Sequence, residues 1–253
     1  AFSRNMRNKR EGRRHMKAVE AKGIYFAYTQ EEEILRNVSF SVERGEFLGI
    51  VGRVGSGKTT LLNCLNGVIP KLIGGKVRGE ISVMGRNPFR EGARKMSAIV
   101  STVLQNPDDQ IFCESVFDEV AFALRNRKME KGEIEEKVER ALAQVRLEGF
   151  ERRDPTALSV GQKQKLSVAC ALAMDNEIIL LDEAGSSLGG RETREIFEAL
   201  AGENRRGKTI IFAEHDLGIL EGYAKKVAVL LDGRLKVCTN DGECIRKLKR
   251  EGL

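Results

Sequence analysis

One loop of the sequence has the residue types and spacing needed to bind a phosphate chain. The segment Gly52–Thr59 reads G-x-x-x-x-G-K-T, and it lies between an apolar run, Phe47–Val51, and a helical pattern. Glycines let main-chain N–H groups approach phosphate oxygens, and a helix N-terminus adds positive potential. Lys58 supplies a charge for the β- and γ-phosphates, and the Thr59 hydroxyl suits Mg²⁺. The predicted nucleotide-binding residues of this region are Gly52, Val54, Gly55, Ser56, Gly57, Lys58, Thr59 and Thr60.

Two adjacent acids follow a second apolar run and predict metal binding and general-base chemistry. Ile178–Leu181 reads as a buried strand, and Asp182 and Glu183 come directly after it. Ligand sites in parallel sheets lie at the carboxyl ends of strands, so this pair is expected beside the phosphate loop. Asp182 is predicted to hold Mg²⁺ through water. Because adjacent strand residues point to opposite sides, Glu183 is assigned as the base that polarises an attacking water.

The elements that must position these residues follow an α/β pattern. Strands and helices alternate after residue 178, which predicts a parallel sheet with crossover helices. Between residues 115 and 148 apolar side chains recur every three to four residues, which predicts a helical segment inserted into the α/β chain. The predicted strands are Ala18–Tyr28, Val38–Val42, Phe47–Val51, Lys76–Met84, Ser97–Leu104, Ile178–Leu181, Thr209–Ala213 and Val227–Leu231. The other predicted helices are Lys58–Asn66, Gln162–Met174, Glu192–Glu203 and Leu217–Ala224.

Composition narrows the class of protein. The chain has 253 residues, 41% hydrophobic and 32% charged, which is typical of a soluble globular protein. No apolar run approaches the ~20 residues of a membrane helix, so any membrane link is expected to come through a partner. Residues 1–15 hold six basic side chains and one acidic one, and they are predicted to form a flexible, solvated arm. The five cysteines lack metal-site spacing and are predicted to be incidental thiols.

The remaining motifs identify a family. Leu158–Gln162 reads L-S-V-G-Q and resembles the signature loop of ATP-binding cassette (ABC) ATPases. Gln105 matches the glutamine of the family's Q-loop, His215 matches its switch histidine, and Tyr28 matches the aromatic residue that stacks on adenine. These motifs occur in the family's order and span nearly the whole chain.

The resemblance implies an α/β P-loop NTPase fold, with an ABC ATPase core, an antiparallel β subdomain and an inserted helical subdomain. Residues 16–253 are expected to form this single domain. Its core and β subdomain would cover about 16–105 and 163–253, and its helical subdomain about 106–162. The implied ligands are ATP and Mg²⁺. The implied catalytic residues are Glu183, His215 and Gln105, and the implied metal-site residues are Thr59, Gln105 and Asp182.

The resemblance also implies a head-to-tail dimer of two ABC ATPase subunits with two ATP molecules between them. Each ATP would lie on one subunit's phosphate loop and under the other's signature loop. Closure of the dimer would then drive an attached membrane protein, because ATP binds the closed state more tightly. No nucleic-acid partner is expected. The residues implied to contact the partner's ATP are Ser159, Gly161 and Gln162.

The segment after Gln105 resembles one branch of the family. Leu104–Phe112 and Glu119–Phe122 are similar to the ATPases of energy-coupling factor (ECF) importers, which take up cobalt, nickel and vitamins. This implies a transmembrane coupling subunit, a solute-binding membrane subunit and a peripheral place at the cytoplasmic face of the cell membrane. The alternatives are the ATPase of another ABC importer and a soluble, non-transport ABC ATPase with the basic arm as its nucleic-acid contact. The last alternative is disfavoured because no long insertion or second cassette is present.

Two positions depart from the family's pattern. Gly189 stands where the D-loop usually has aspartate, and Val160 stands where the signature loop usually has glycine. Both loops act on the partner's nucleotide, whereas the residues that act on the chain's own nucleotide are intact. The departures therefore predict a heterodimer with a second, unaltered ATPase.

Overall fold

The computed structural model describes residues 17–29, 32–185 and 188–250, so the predicted arm at residues 1–15 lies outside the described part of the chain. The strands are β1 (Lys17–Ala27), β2 (Glu33–Glu43), β3 (Phe47–Val51), β4 (Lys76–Val83), β5 (Val100–Val103), β6 (Ile178–Asp182), β7 (Thr209–Ala213), β8 (Lys226–Leu231) and β9 (Arg234–Thr239). They form two sheets, and each sheet carries part of the site.

The first sheet is antiparallel, with the strand order β2–β1–β4. Its buried face includes Val19, Ile24 and Phe26 of the central strand β1. These apolar side chains pack in one hydrophobic core cluster with the helix that follows the phosphate loop. Tyr28, the residue predicted to stack on adenine, lies one residue beyond the end of β1, so this sheet sets its position.

The second sheet has the order β5–β6–β7–β3–β8–β9. The pairs β5–β6, β6–β7, β7–β3 and β3–β8 are parallel, and only the described edge pair β8–β9 is antiparallel. Strands β3, β6 and β7 are buried along their whole length, as expected for a sheet with helices on both faces. Because these strands run the same way, the residues that follow β3, β5, β6 and β7 meet at one edge.

Helices cover the second sheet. The α-helices are α1 (Lys58–Leu65), α2 (Pro88–Glu91), α3 (Ala93–Met96), α4 (Val116–Asn126), α5 (Lys131–Gln144), α6 (Val160–Ala173), α7 (Gly190–Arg205), α8 (Leu217–Tyr223) and α9 (Gly242–Arg250). Helices α4, α5 and α6 pack together through buried residues such as Val120, Val138 and Leu166. They lie between β5 and β6 in the chain, so the predicted α/β chain with an inserted helical segment is confirmed.

The structure differs from the sequence expectations at several element boundaries. The strand predicted at Ser97–Leu104 is the shorter β5 (Val100–Val103), because Ser97 is the C-cap of α3. Strand β9 and helix α9 were not predicted. Charged residues interrupt both segments, and each keeps only a narrow apolar side, which includes Ile245 and Leu248 of α9.

The expectation that the cysteines are incidental thiols is wrong for one pair. Cys238 at the end of β9 and Cys244 in the first turn of α9 form a disulfide. The two are six residues apart, and only the turn between β9 and α9 brings them together. Cys64, Cys113 and Cys170 are free.

Within the described ranges we find no helix with the length and apolar character needed to cross a membrane.

Candidate functional site

The predicted phosphate loop connects the end of β3 to the start of α1. Gly57 has φ 100°, a left-handed conformation that favours glycine, and a Cβ there would lie 3.1 Å from a methyl group of Ile34. A Cβ on Gly52 would lie 2.3 Å from the carbonyl oxygen of Leu230. These two glycines are therefore required by space and backbone conformation.

Lys58 lies inside this loop with only 4% of its surface exposed. Its Nζ donates to the carbonyl oxygens of Gly52, at 2.8 Å, and Arg53, at 3.3 Å. The same Nζ lies 3.0 Å from Oε1 of Glu183, the second predicted acid. The ammonium group is therefore held where the loop and the end of β6 meet. Nearby, the Ser56 hydroxyl is buried without a hydrogen-bond partner, as expected of a group that can receive a phosphate oxygen.

Two of the three residues predicted to hold Mg²⁺, Thr59 and Asp182, fit such an ion. Asp182 is 6% exposed, and its Oδ1 is buried without a hydrogen-bond partner. Burial raises the pKa of its carboxyl above the ordinary value, while a hydrogen bond from the Thr59 side chain opposes the shift. An oxygen donor that is buried and unsatisfied suits a hard divalent cation, which would also favour the ionised carboxylate. Thr59 and Asp182 are thus the side chains available to a magnesium ion beside the phosphate loop.

Glu183 is the centre of the site. Its Oε2 accepts a hydrogen bond from Nε2 of Gln105 at 3.1 Å, and it lies 3.7 Å from Nδ1 of His215. With Lys58 on Oε1, one carboxylate thus contacts three residues that the sequence places on three different segments. Gln105 lies two residues beyond β5 and His215 two residues beyond β7, so the parallel sheet brings them to the same edge as β6.

Tyr28 approaches the same helix from the antiparallel sheet. Its hydroxyl lies 3.0 Å from Oγ1 of Thr60 in α1, and Phe26 contacts its ring edge-on. The ring remains 46% exposed, so a planar ligand can stack on it. A cavity of about 650 Å³ is lined by Ile34 together with residues 53–56 of the phosphate loop. Ile34 was not among the predicted site residues, because an apolar side chain early in a strand has no signal that separates a ligand contact from packing.

The signature-loop residues lie at the start of α6. Ser159 caps this helix by accepting from the main chain of Gln162 at 3.3 Å, and the Gln162 side chain accepts from the main chain of Ser159 at 3.0 Å. Val160 and Glu183 line the same small cavity of about 260 Å³. Gly161 lies in the first turn of α6, against the side chain of Glu192. The start of α6 therefore faces the edge of the sheet where Glu183 lies.

A buried acid next to His215 was not singled out from the sequence. Glu214 is fully buried, and its Oε1 accepts from the main-chain N–H of Gly185 at 2.7 Å. Burial raises the pKa of its carboxyl to about 7, and the negative charges of Glu183 and Asp216 add to the shift, while the main-chain N–H groups of Gly185 and His215 oppose it. Glutamate beside histidine in a loop reads as a surface residue, so burial could not be predicted.

This buried carboxyl makes stability depend on pH. Folded protein keeps the Glu214 proton up to about pH 7, whereas the unfolded chain releases it near its ordinary value of 4.5, so stability falls as pH rises between the two. We expect the melting temperature of Glu214→Gln, relative to the unmodified protein, to rise from pH 4.5 to 7 and then level off. The corresponding largest gain in the free energy of unfolding of the variant, relative to the unmodified protein, is on the order of 3 kcal/mol. Thermal unfolding across this range tests it, and a pH-independent difference would show that Glu214 is ionised throughout.

Comparison with known proteins gives the family. The profile of the ABC transporter family matches residues 35–186. The energy-coupling factor transporter ATP-binding protein EcfA of Methanocaldococcus jannaschii is 36% identical over 92% of this chain and 84% of its own length. A putative ABC transporter ATP-binding protein of Pyrococcus horikoshii is 39% identical over 86% of this chain and 82% of its own length. Other relatives are longer: this chain spans 38% of one from Caldanaerobacter subterraneus and 35% of one from Methanosarcina acetivorans.

Solved structures agree. CbiO1 of Clostridium perfringens, part of the ABC transporter complex cbiONQ, is 28% identical with a TM-score of 0.80, over 92% of this chain and 95% of its own. The ATP-binding cassette MJ0796, a dimer in a post-hydrolysis state bound to ADP and Pi, is 25% identical with a TM-score of 0.78, over 88% of this chain and 99% of its own. The chain therefore belongs to the ABC transporter ATPases and is an ATP-hydrolysing subunit of a transporter.

Proposed function

We propose that this chain hydrolyses ATP at the edge of the sheet where Lys58, Gln105 and His215 converge on the Glu183 carboxylate. That convergence is the observation that carries the proposal. The site has a cation for the phosphates, an acid for the attacking water, and an amide and an imidazole beside that acid. Its direct test is the ATPase rate of the Glu183→Gln variant, which should fall while ATP binding persists.

The roles follow from the contacts. Main-chain N–H groups of Gly52–Thr59 bind the phosphates, and Lys58 moves from its contacts with the loop carbonyls and Glu183 onto the β- and γ-phosphates. Glu183, released from the lysine, polarises the water that attacks the γ-phosphate. A magnesium ion held by Thr59 and Asp182 would neutralise developing phosphate charge.

Gln105 and His215 complete this arrangement. Gln105 is proposed to hold the Glu183 carboxylate through its amide and also to reach the metal site. His215 is 51% exposed on its side chain, so it can turn towards the γ-phosphate. The adenine is proposed to stack on Tyr28, beside Thr60. The phosphate-contacting residues are proposed to be Gly52, Val54, Gly55, Ser56, Gly57, Lys58 and Thr59.

A second ATPase subunit is proposed to complete each nucleotide site. The start of α6 carries free main-chain N–H groups and the positive end of the helix dipole, which favour an anion. In a head-to-tail dimer these groups, with Ser159, Gly161 and Gln162, would contact the γ-phosphate of the ATP on the partner. The dimeric, ADP- and Pi-bound cassette MJ0796 supports this arrangement.

We further propose that the transporter is an importer of the ECF type. The relatives EcfA and CbiO1 support this, together with the similarity of residues 104–112. The chain would lie at the cytoplasmic face of the membrane, bound to a transmembrane coupling subunit that also contacts a solute-binding membrane subunit. The proposed solute is a metal ion or a vitamin. The helical part, at about residues 106–162, is proposed to be the subdomain that moves with the membrane partner.

The segment after Gln105 separates into internal contacts and free surface. Gln110 accepts from the main-chain N–H of Leu104 at 3.1 Å and donates to the carbonyl of Thr102 at 3.0 Å, so it braces the end of β5. Asp108 forms an ion pair at 2.6 Å with Lys163 of α6. These contacts link the Q-loop to strand β5 and to helix α6, which follows the signature loop.

Phe112 is the part of this segment that is open to a partner. It is 66% exposed and contacts Phe122 of α4 edge-on, with ring centroids 4.8 Å apart. Phe122 is itself partly exposed. Two adjacent exposed aromatic rings form an apolar surface of the kind that carries much of the energy of protein interfaces.

Changing Asp108, Gln110 and Phe112 together is expected to uncouple the ATPase from its membrane partner while nucleotide binding persists. Within this set, Phe112→Ala alone should weaken partner binding by about 30-fold, since truncating an aromatic anchor costs about 2 kcal/mol. The matched control is Leu72→Ala, which removes an apolar side chain that is 73% exposed in the loop after α1. Copurification with the membrane subunits measures the effect. Wild-type yield with the triple variant would exclude this surface.

The side chain of Glu192 lies beside both altered loops. A Cβ on Gly189 would lie 2.7 Å from Oε2 of Glu192, and a Cβ on Gly161 would lie 2.9 Å from Cγ of the same side chain. Glu192 therefore fills the space between the D-loop and the signature loop. A side chain at position 189 would therefore require the flexible end of the Glu192 side chain to move.

We expect the chain to need a heterodimeric partner for full activity, because its D-loop and signature loop would serve the partner's site less well. Misplaced contacts near the reacting water can cost about 10²-fold in rate, so the isolated chain should be slower than its complex by about this factor. The double variant Gly189→Asp/Glu192→Ala should raise the rate of the isolated chain. Glu192→Ala alone is the control and should not. If the isolated chain already matches its complex and the double variant changes nothing, the asymmetry is absent.

A further inference from the structure

The turn that follows Glu183 is held from the end of β7. Glu183 has φ 48°, a left-handed conformation that is uncommon outside glycine. Its main-chain N–H donates to the carbonyl of Ala213 at 2.9 Å, and the N–H of Gly185 donates to Oε1 of Glu214 at 2.7 Å. Two consecutive residues of β7 and its extension therefore hold the first and third residues of the turn.

The same short segment also holds the other side of the site. The main-chain N–H of Glu214 donates to the carbonyl of Ile50 in β3 at 3.0 Å, two residues before Gly52, the first residue of the phosphate loop. His215 comes next, with Nδ1 3.7 Å from Oε2 of Glu183. The main chain of Glu214, directly after β7, is thus bonded to β3, the strand that leads into the phosphate loop. Its side chain is bonded to the turn that carries Glu183.

We propose that Glu214 is a positioning residue: its side chain holds the 183–185 turn so that the Glu183 carboxylate stays among Lys58, Gln105 and His215. The proposal rests on the proposed role of Glu183. A strained backbone such as that of Glu183 persists only when its surroundings fix it. Among the described residues, two hydrogen bonds join this turn to the end of β7. The one to Glu214 is made by a side chain and can be removed without changing the main chain.

The surroundings of Glu214 suit a carboxyl that acts through shape and hydrogen bonding. It is fully buried, and its Oε2 has no hydrogen-bond partner. Burial raises its pKa to about 7, so the carboxyl is protonated below that pH and then adds no negative charge beside Glu183. The turn is packed closely against it, because a Cβ on Gly185 would lie 2.9 Å from Oε1 of Glu214 and 3.1 Å from Cδ1 of Ile219.

Two variants of similar size separate positioning from other roles. Glu214→Gln keeps an oxygen that accepts from Gly185, whereas Glu214→Leu removes it. We expect the Leu variant to lose about 10–100-fold in kcat, as Glu183 loses its alignment. Its dissociation constant for Mg-ATP should stay within about twofold of the unmodified value, because Lys58 and the phosphate loop are untouched. The Gln variant should keep kcat within about threefold at neutral pH.

The measurement is ATPase kinetics with nucleotide binding on the same preparations, using the assembled complex. Unchanged kcat in Glu214→Leu overturns the proposal, and so does an equal loss in the Gln and Leu variants. If Glu214→Leu does not fold, Gly185→Ala disturbs the same contact from the other side. An unchanged kcat in that variant would also overturn the proposal. Glu183→Gln run in parallel separates the two claims: if it abolishes turnover while Glu214→Leu does not lower it, only the positioning role fails.

Discussion

Replacing Glu183 by glutamine is expected to lower the ATPase rate by about 10²–10⁴-fold while ATP binding persists. The amide keeps the shape of the side chain, and it can still accept from Gln105, but it cannot take a proton from the attacking water. It also lacks the charge that pairs with Lys58, so the lysine becomes freer to meet the phosphates. ATP affinity should therefore be unchanged or higher, and ATP should hold the dimer closed.

Turnover and ATP-dependent dimerisation are measured together on this variant. Glu139→Gln is a suitable control, because Glu139 is exposed on α5 and lies outside the site. Turnover close to that of the control would remove Glu183 from its assigned role. Loss of both turnover and ATP binding would instead mean that the carboxylate supports the structure of the phosphate loop.

The second large effect is expected from Lys58→Ala, which should weaken Mg-ATP binding by about 10–100-fold. A hydrogen bond to a charged group contributes roughly 1.5–3 kcal/mol, and this is the contact that a phosphate loses with Lys58. The ammonium group is already held in the loop by the carbonyl oxygens of Gly52 and Arg53. The substitution also removes the cation that lies 3.0 Å from Oε1 of Glu183, so the negative charge of this carboxylate repels the phosphates more strongly.

A direct binding titration tests this expectation. The control is Lys131→Ala at the start of α5, where the side chain is 91% exposed. An unchanged dissociation constant for Mg-ATP in Lys58→Ala would contradict the assignment of the phosphate loop. A similar loss in both variants would point to net charge rather than to a specific contact.

Much of this site could be predicted from sequence because its residues sit in fixed local settings. Gly52–Thr59 needs a strand before it and a helix after it, and β3 and α1 are there. Asp182 and Glu183 end an apolar strand, which in a parallel sheet puts them at the same edge. Gln105 and His215 were placed by family resemblance, and the structure brings both to Glu183.

Other features depend on three-dimensional packing that no local pattern encodes. Glu214 is buried because the residues after β7 pack against the turn at Gly185. The sequence around Glu214 gives no sign of this packing. Gln110 lies in the segment that resembles the ECF branch, but its side chain binds Leu104 and Thr102 at the end of β5. Cys238 and Cys244 come together because the chain turns from β9 into α9. Helix α9 was not predicted, because its many charged residues outnumber the few apolar residues that it buries.

The central claim is that ATP hydrolysed on this chain acts on a membrane partner, and one capture experiment tests it most directly. The tagged chain and its Glu183→Gln variant are purified from detergent-solubilised membranes of the native host, and bound subunits and ATPase rate are measured on each. The account predicts a second ATPase subunit and integral membrane subunits with both forms, and a much lower rate of hydrolysis with the Glu183→Gln form. Recovery without any integral membrane protein, or hydrolysis at an equal rate by both forms, would contradict it.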